Sequence, residues 1–256
     1  MDKQKQLFLA QPDLAEMEST VLAARSHSLG MAVAVADNIV RPAGGGEPRD
    51  RGSVRYSDTP SCAIVGAEKG EGLTWLILPN HAGELCSGRS IVVNLDMEHR
   101  QRRRRLHTAI HLAIRTTINH LGRGFQVADA QIEDDALTCW FSGRFARSLT
   151  DAEIISIDRS MRSLVLSARP VNVATAKSVE HAERSYGELF RMSDRYALSG
   201  RVRLVCVEDF DVNPCSGLHH VSSDIGPYAL DRHAAPGGFT LRIQLTNAWN
   251  YWHGTD

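Results

Sequence analysis

Arg102-Arg103-Arg104-Arg105-Leu106-His107-Thr108-Ala109-Ile110-His111-Leu112 and, over a hundred residues later, Cys215-Ser216-Gly217-Leu218-His219 are the two stretches from which the chain is best read. In a helix, residues four apart share a face with roughly 5–6 Å between them, so His107 and His111 can turn their imidazoles toward one ion. In the second stretch Gly217 lets a turn hold the Cys215 thiolate near the His219 imidazole. Thiolate plus imidazole is a ligand set that borderline-soft zinc prefers, and two such pairs supply the donors of a tetrahedral site. The alternative is a pair of satisfied core histidines and a buried thiol. With eleven His and five Cys in the chain, either spacing arises readily by chance. Context favours the metal, because one pair lies in a helical pattern after a strand-rich region and the other follows an apolar strand and a Pro-containing turn.

The chain has 256 residues, long enough for one large domain or two smaller ones with a core of their own. Its net charge of −1 announces no global attraction to nucleic acid or membrane, so an anionic partner must be met by a local patch. The arginine run is such a patch, since guanidinium donors match phosphate oxygens. The competing reading is a solvated helix face. Positive side chains at a helix start oppose the macrodipole, which favours service to an anion. The cysteines Cys62, Cys86, Cys139, Cys206 and Cys215 are odd in number and scattered, and Met1–Gln6 precedes no long apolar segment, so a reducing cytoplasm is expected. No apolar run approaches the ~20 residues of a membrane helix, and a soluble protein is expected.

Short β-rich or alternating runs at Leu7–Leu9, Ser19–Arg25, Met31–Ala36, Ser61–Val65, Leu73–Leu78 and Ser90–Leu95 are separated by turn residues. They predict a small antiparallel barrel or sandwich ending near Asp96. Helical spacing then runs through Leu106, Ile110, Ala113, Ile114, Thr117, Ile118 and Leu121 until Gly122 and Gly124. A strand is expected at Ala136–Phe141. Thr150-Asp151-Ala152-Glu153 reads as a capping box opening a helix with an apolar face of Ile154, Ile157, Met161, Leu164, Val165 and Ala168, ended by Pro170. Further expectations are a strand at Pro170–Ala176, a helix at Val179–Phe190, a strand at Arg201–Val207 leading to the Cys215 turn, and a last strand at Thr240–Leu245. Trp249, Tyr251 and Trp252 form an aromatic tail expected to pack on the surface or on a partner. The fold class is α+β, with residues 1–97 an N-terminal β domain and 98–256 a second domain.

The segment Pro42–Gly52 contains Gly44-Gly45-Gly46, which lets a backbone approach a ligand closely. It is no Walker loop, because Glu47 and Pro48 stand where Lys and Ser/Thr would be needed, and taken alone it reads as a plain turn. Metalloprotease chemistry is set aside, since no general-base Glu follows His107. A zinc finger fits poorly, because its ligand pairs lie close in sequence. A folded domain must bring the two pairs together, which favours a site in a cleft.

Taken in order, Leu7-Phe8-Leu9-Ala10-Gln11-Pro12-Asp13-Leu14, the Gly44–Gly52 loop, Arg105–Leu112, and Val202–Val207 leading into Asp211-Val212-Asn213-Pro214-Cys215-Ser216-Gly217-Leu218-His219 resemble a known family. It is that of the free-standing alanyl-tRNA editing proteins, similar to the editing domain of alanyl-tRNA synthetase and, more distantly, of threonyl-tRNA synthetase. The resemblance runs from about Leu7 to Leu245. It implies a small antiparallel β-barrel domain followed by an α+β aminoacyl-tRNA editing core, with Zn2+ held by His107, His111, Cys215 and His219. The implied reaction is hydrolysis of the ester joining a wrong amino acid to the tRNA 3′ end, with His107, His111 and Cys215 as catalytic residues. Asn38, Gly44, Gly45, Gly46, Glu47, Gly217 and Leu218 would then contact the aminoacyl group, and Arg102, Arg103, Arg104 and Arg105 the acceptor end of the tRNA.

No activating nucleotide site of the Gly-Lys type is recognisable, so the implied enzyme acts in trans on finished aminoacyl-tRNA, with neither nucleotide cofactor nor membrane partner. The chain departs from the family at three places. Asn38, Val40 and Arg41 replace a Thr and an aromatic pair, Glu47 replaces a Gln, and Cys-Ser-Gly-Leu-His replaces Cys-Gly-Gly-Thr-His. Seryl- or glycyl-tRNA(Ala), or a β-hydroxy or modified amino acid on another tRNA, are the candidate substrates. Direct His/Cys catalysis without metal is the mechanistic alternative. A catalytically silent tRNA-binding module and a zinc-dependent hydrolase of small esters are the alternatives in function.

Overall fold

A computed structural model describes residues 3–57, 60–80, 85–122, 125–143, 147–192 and 198–248. The chain divides into two compact units, Met1–Gln101 and Arg102–Asp256.

The first unit contains β1 (Lys5–Gln6), α1 (Leu7–Ala10), β2 (Glu16–His27), β3 (Gly30–Val35), β4 (Asp37–Asn38), β5 (Gly52–Arg55), β6 (Cys62–Ala63), β7 (Gly66–Gly70), β8 (Leu73–Pro79) and β9 (Ser90–Leu95). Seven of its strands form an antiparallel sheet in the order β6-β5-β9-β2-β3-β8-β7. The two ends of that order are nearly one strand, because only Ile64 and Val65 separate β6 from β7. Ile64 N donates to Gly52 O (2.9 Å) and Val65 N to Ile77 O (2.8 Å), so this short segment touches both ends and the sheet curls on itself. The period of two along β8 sends Leu76 and Leu78 to the main core with Val21, Val33, Val54 and Val93. Trp75 and Ile77 go to a smaller cluster with Ala32 and Ala34. Leu7–Leu9, expected among the β-rich runs, begins a single helical turn instead, closed by Gln11 N to Leu7 O (2.8 Å) with Phe8 buried. Three residues are too few for alternation to tell a turn from a strand.

The long helix α2 (Met97–Leu121) starts before the arginine run that was expected to open it, because Asp96 caps it: its Oδ1 accepts from His99 N at 2.9 Å. The arginine run therefore lies well inside the helix and not at its start, and Arg103 and Arg104 are buried, which overturns the solvated-face reading for those two. Gly122, at φ +77°, ends the helix; Gly124 lies outside the described residues.

Beyond it the second unit has an antiparallel sheet ordered β10-β11-β16-β15, from β10 (Phe125–Ile132), β11 (Ala136–Gly143), β15 (Tyr228–Ala235) and β16 (Gly238–Leu245). Alternate residues Leu137, Cys139 and Phe141 of β11 and Phe239, Leu241 and Ile243 of β16 share one core with Leu106, Ala109 and Leu112 of α2. Ile154, Ile157, Met161 and Val165 of α3 (Asp151–Ser167) join the same core. The two strands of this sheet that the sequence did not mark, β10 and β15, are its edges. α3 carries both arms of the Thr150/Glu153 capping box and ends on Ala168 in the left-handed conformation, two residues before Pro170. A three-stranded antiparallel sheet, β12-β13-β14, is formed by β12 (Val171–Ala176), β13 (Val202–Val207) and β14 (Asp211–Pro214). It packs with α4 (Val179–Tyr186) through Ala182, Val202, Leu204 and Val212. The helix expected to reach Phe190 stops at Tyr186, because Gly187 at φ +51° turns it into a 3-10 turn. Trp249, Tyr251 and Trp252 lie outside the described residues. Among those described, no helix is long and apolar enough to cross a membrane.

Candidate metal centre

α2 presents His107 and His111 one turn apart, both buried, as their spacing requires. The turn after β14 presents Cys215 and His219. Their positions are fixed by main-chain and side-chain bonds to α2 and β13. Cys215 N donates to Arg203 O (3.2 Å) and Arg203 Nη1 to Cys215 O (2.6 Å). Arg104 Nε donates to His219 O (2.8 Å), while His220 N is shared between Thr108 Oγ1 (3.0 Å) and Arg104 O (3.2 Å). The two distant stretches thus meet on one helix face.

The four donor atoms lie within 4.8 Å of one another. Cys215 Sγ is 3.4 Å from His107 Nε2 and 3.3 Å from His219 Nε2. Tetrahedral zinc with its usual bond lengths sets N and S donors about 3.3–3.6 Å apart, so these separations suit a shared ion. The ring of His111 is 4.8 Å from that of His219 between centroids and 5.9 Å from that of His107. Its Nδ1 meets Asp211 Oδ2 at 3.2 Å, which leaves Nε2 as the donor nitrogen. Asp211 is fully buried, and its other oxygen lies 3.6 Å from Arg191 Nε.

The electrostatics match a ligand set. Burial alone would raise the Cys215 thiol, but the neighbouring His107 and His219 hold it well below its ordinary range. Burial, with His107 beside it, pushes His219 down to about 3. Burial also pulls on His111, but the bonds to Asp211 and Cys215 outweigh it and its pKa is raised. A thiolate beside buried imidazoles is close to the deprotonated state in which a metal is bound. The four side chains can therefore hold a metal ion.

No protein-family model matches the chain. Over 228 residues it is 27% identical to the alanine–tRNA ligase of Pyrococcus abyssi, covering 88% of this chain and 24% of the ligase. The ligase of Methanopyrus kandleri is 29% identical over 191 residues, 74% of this chain and 20% of the ligase. That of Methanothrix thermoacetophila is 28% identical over 233 residues, 90% and 24% respectively. The chain is thus similar to one part of these alanine–tRNA ligases. It spans only 20–24% of the length of these three relatives.

The other residues singled out in the sequence have definite places. Gly217 and Leu218 are buried inside the ligand-bearing turn. Of the arginine run, Arg102 is exposed, Arg105 is half-buried with Nε on Ile225 O (2.6 Å), and Arg103 and Arg104 are buried. Asn38 and the glycine loop belong to the first unit. The Asn38 amide nitrogen donates to Gln6 Oε1 and Val40 O (both 2.9 Å) and its oxygen accepts from Val40 N (3.0 Å), so the side chain is committed to shaping the approach to the loop. Gly44 and Glu47 pair across a two-residue turn in which Gly45 and Gly46 have φ of +66° and +76°, values open to glycine. Glu47 is buried and ion-paired with Arg41 at 2.9 Å. Sequence reasoning gave no role to Asp211, Arg191 or Thr108. Asp211 and Thr108 stand inside the quoted stretches, but a single carboxylate or hydroxyl has no periodicity that would mark it.

Proposed function

We propose that this chain hydrolyses the ester of a mischarged or non-standard aminoacyl-tRNA, acting in trans at a zinc site. The observation that carries the reading is the convergence of His107, His111, Cys215 and His219, from segments remote in sequence, in a chain related to alanine–tRNA ligases. Zinc held by all four would be coordinatively closed; with an expanded shell or one ligand displaced it would supply Lewis-acid polarisation of the ester carbonyl or a water of lowered pKa. Within the site, Asp211 holds His111 in one orientation, and the bonds from Arg104 and Thr108 hold the Cys215–His219 turn against α2. Arg102 and Arg105 are the members of the arginine run that solvent reaches, and the acceptor-end phosphates are assigned to them.

The substrate is a seryl or glycyl ester on tRNA(Ala), or a β-hydroxy or modified amino acid on another tRNA. Gly217 and Leu218, and in the first unit Asn38 and Gly44–Glu47, are assigned to recognition of the aminoacyl group by the family resemblance. The closeness of Cys215 Sγ to His107 Nε2 (3.4 Å) and His219 Nε2 (3.3 Å) also supports a second mechanistic reading, in which the thiolate and imidazoles act directly.

The deciding experiment is a deacylation screen over alanyl-, seryl-, glycyl-, threonyl- and non-standard aminoacyl-tRNAs, with metal analysis of the same preparation. Amino acid released from at least one species, stoichiometric zinc, and loss of both in His107→Ala and Cys215→Ala are expected. Tight tRNA binding with no release from any species would instead mark a binding module. Activity that survives complete metal removal but not Cys215→Ser would favour the direct mechanism. Turnover on charged tRNA unaffected by Arg102→Ala with Arg105→Ala would favour a small-ester hydrolase.

A further inference from the structure

Asp211 is the first residue of β14, set directly after the short 208–210 connection from β13, with Val207 paired opposite. Its side chain is entirely buried, and Oδ2 lies 3.2 Å from His111 Nδ1. A buried carboxylate is expensive unless its oxygens are occupied. The second oxygen accepts no hydrogen bond among the described residues and is offset only by the charge of Arg191, whose Nε lies 3.6 Å away; Arg191 is brought there by its own main chain, whose N donates to Val212 O at 2.8 Å beside the Phe190–Val212 bridge. Three side chains from three different segments thus form one line: Arg191, Asp211, His111. The far end of the line is the donor nitrogen of His111, because a carboxylate accepts only, so Nδ1 must carry the hydrogen and Nε2 the lone pair. The strand also sets the distance. Asp211 and Cys215 stand at opposite ends of β14 and its turn, so the same strand that brings the sulfur to His107 brings the carboxylate to His111.

We infer that Asp211 is a positioning residue for the metal centre, fixing the tautomer and ring plane of His111, and that Arg191 holds Asp211 in place for that task. The inference rests on the zinc reading above and goes beyond it in assigning two residues that bind nothing themselves. Loss of such an outer partner typically weakens metal binding by about 10–100-fold while the ligands remain.

The test is zinc affinity, measured by competition with a chromophoric chelator on the full chain, for wild type, Asp211→Asn, Asp211→Glu and Arg191→Met, each checked for cooperative unfolding. Cobalt(II) absorption reports the coordination sphere independently of turnover. The expected result is ~10–100-fold weaker zinc in Asp211→Asn with an altered cobalt spectrum, a smaller loss in Arg191→Met, and partial recovery in Asp211→Glu. Arg191→Met keeps the assignment testable should the Asp211 variants not fold. Folded variants that bind zinc as tightly as wild type, with the same cobalt spectrum, overturn the positioning role and leave the zinc reading intact. Wild-type protein that takes up no zinc overturns the zinc reading itself, and the assignment with it.

Discussion

At the scale of single residues, what the sequence disclosed was what spacing can encode. His107 and His111 were legible because an i,i+4 pair on a helix has one geometry, and Cys215 with His219 because Gly217 admits a tight turn. What stayed hidden were the groups that hold those ligands in place, because nothing in a sequence says which remote segment a Thr or Asp will meet. Thr108 shows this. It stands between the two histidines and reads as helix filler, yet its hydroxyl accepts from His220 N at 3.0 Å and ties the Cys215–His219 turn to α2. Thr108→Val keeps the shape and removes the acceptor. Because His220 N also reaches Arg104 O, the expected loss is modest, about 1 kcal/mol in urea unfolding. Metal affinity should fall with it, as the turn loosens. Unchanged affinity in a destabilised Thr108→Val would show that the turn is held by its other bonds.

Among the elements, long amphipathic segments and capped helices were readable, while edge strands and helix starts were not. β10 and β15 escaped because an edge strand pairs on one side only and tolerates residues such as Ala and Asp that blur alternation. α2 was read as starting too late because its early turns are arginines, good helix formers that contribute no apolar period. α3 was legible from its first residue, and its cap gives a pH prediction. Glu153 is held down to about 2 by its bond to Arg147 and by Thr150, against an ordinary value of 4.5. A carboxylate depressed in the folded state contributes stability that is full above its unfolded pKa and is lost as pH falls through the folded one. The contribution should therefore be intact above pH ~4.5 and drain away toward pH ~2. Thr150→Ala should cost about 1 kcal/mol at neutral pH. The difference in stability between wild type and Glu153→Gln should shrink on acidification, and a difference that is flat between pH 6 and 3 would remove Glu153 from the acid dependence.

The glycine loop shows two replacements acting as one element. Arg41 and Glu47, each a departure from the family pattern, form a buried ion pair across the turn, and Arg41 also bonds Pro42 O and Gly44 O. Removing one partner leaves a buried charge without its counterpart, so Glu47→Gln or Arg41→Met alone should cost about 3 kcal/mol. The double variant should cost clearly less than the sum of the two, as a double-mutant cycle in urea would report. Additive losses would mean that each side chain is held by its other contacts.

For the whole molecule, the division into two units decides what metal removal should do. All four candidate ligands belong to the second unit, so an ion there would join α2 to the turn after β14 across a loop of more than a hundred residues, a closure that free chain makes at considerable entropic cost. An ion that binds the folded state alone stabilises it by about 2.7 kcal/mol at a free concentration one hundred times its dissociation constant. Chelation should accordingly lower the unfolding temperature, and zinc should restore it, in wild type but not in His107→Ala. Hydrogen exchange adds the location. Protection should fall after chelation in α2 from Arg102 onward and in β13 and β14, whereas the curled sheet of the first unit has no ligand to lose and should exchange as before. The coupling has a sign as well as a place: because the donors must be deprotonated, the zinc-dependent increment should shrink as pH is lowered. An increment equal in wild type and His107→Ala would mean that the stabilising ion sits elsewhere.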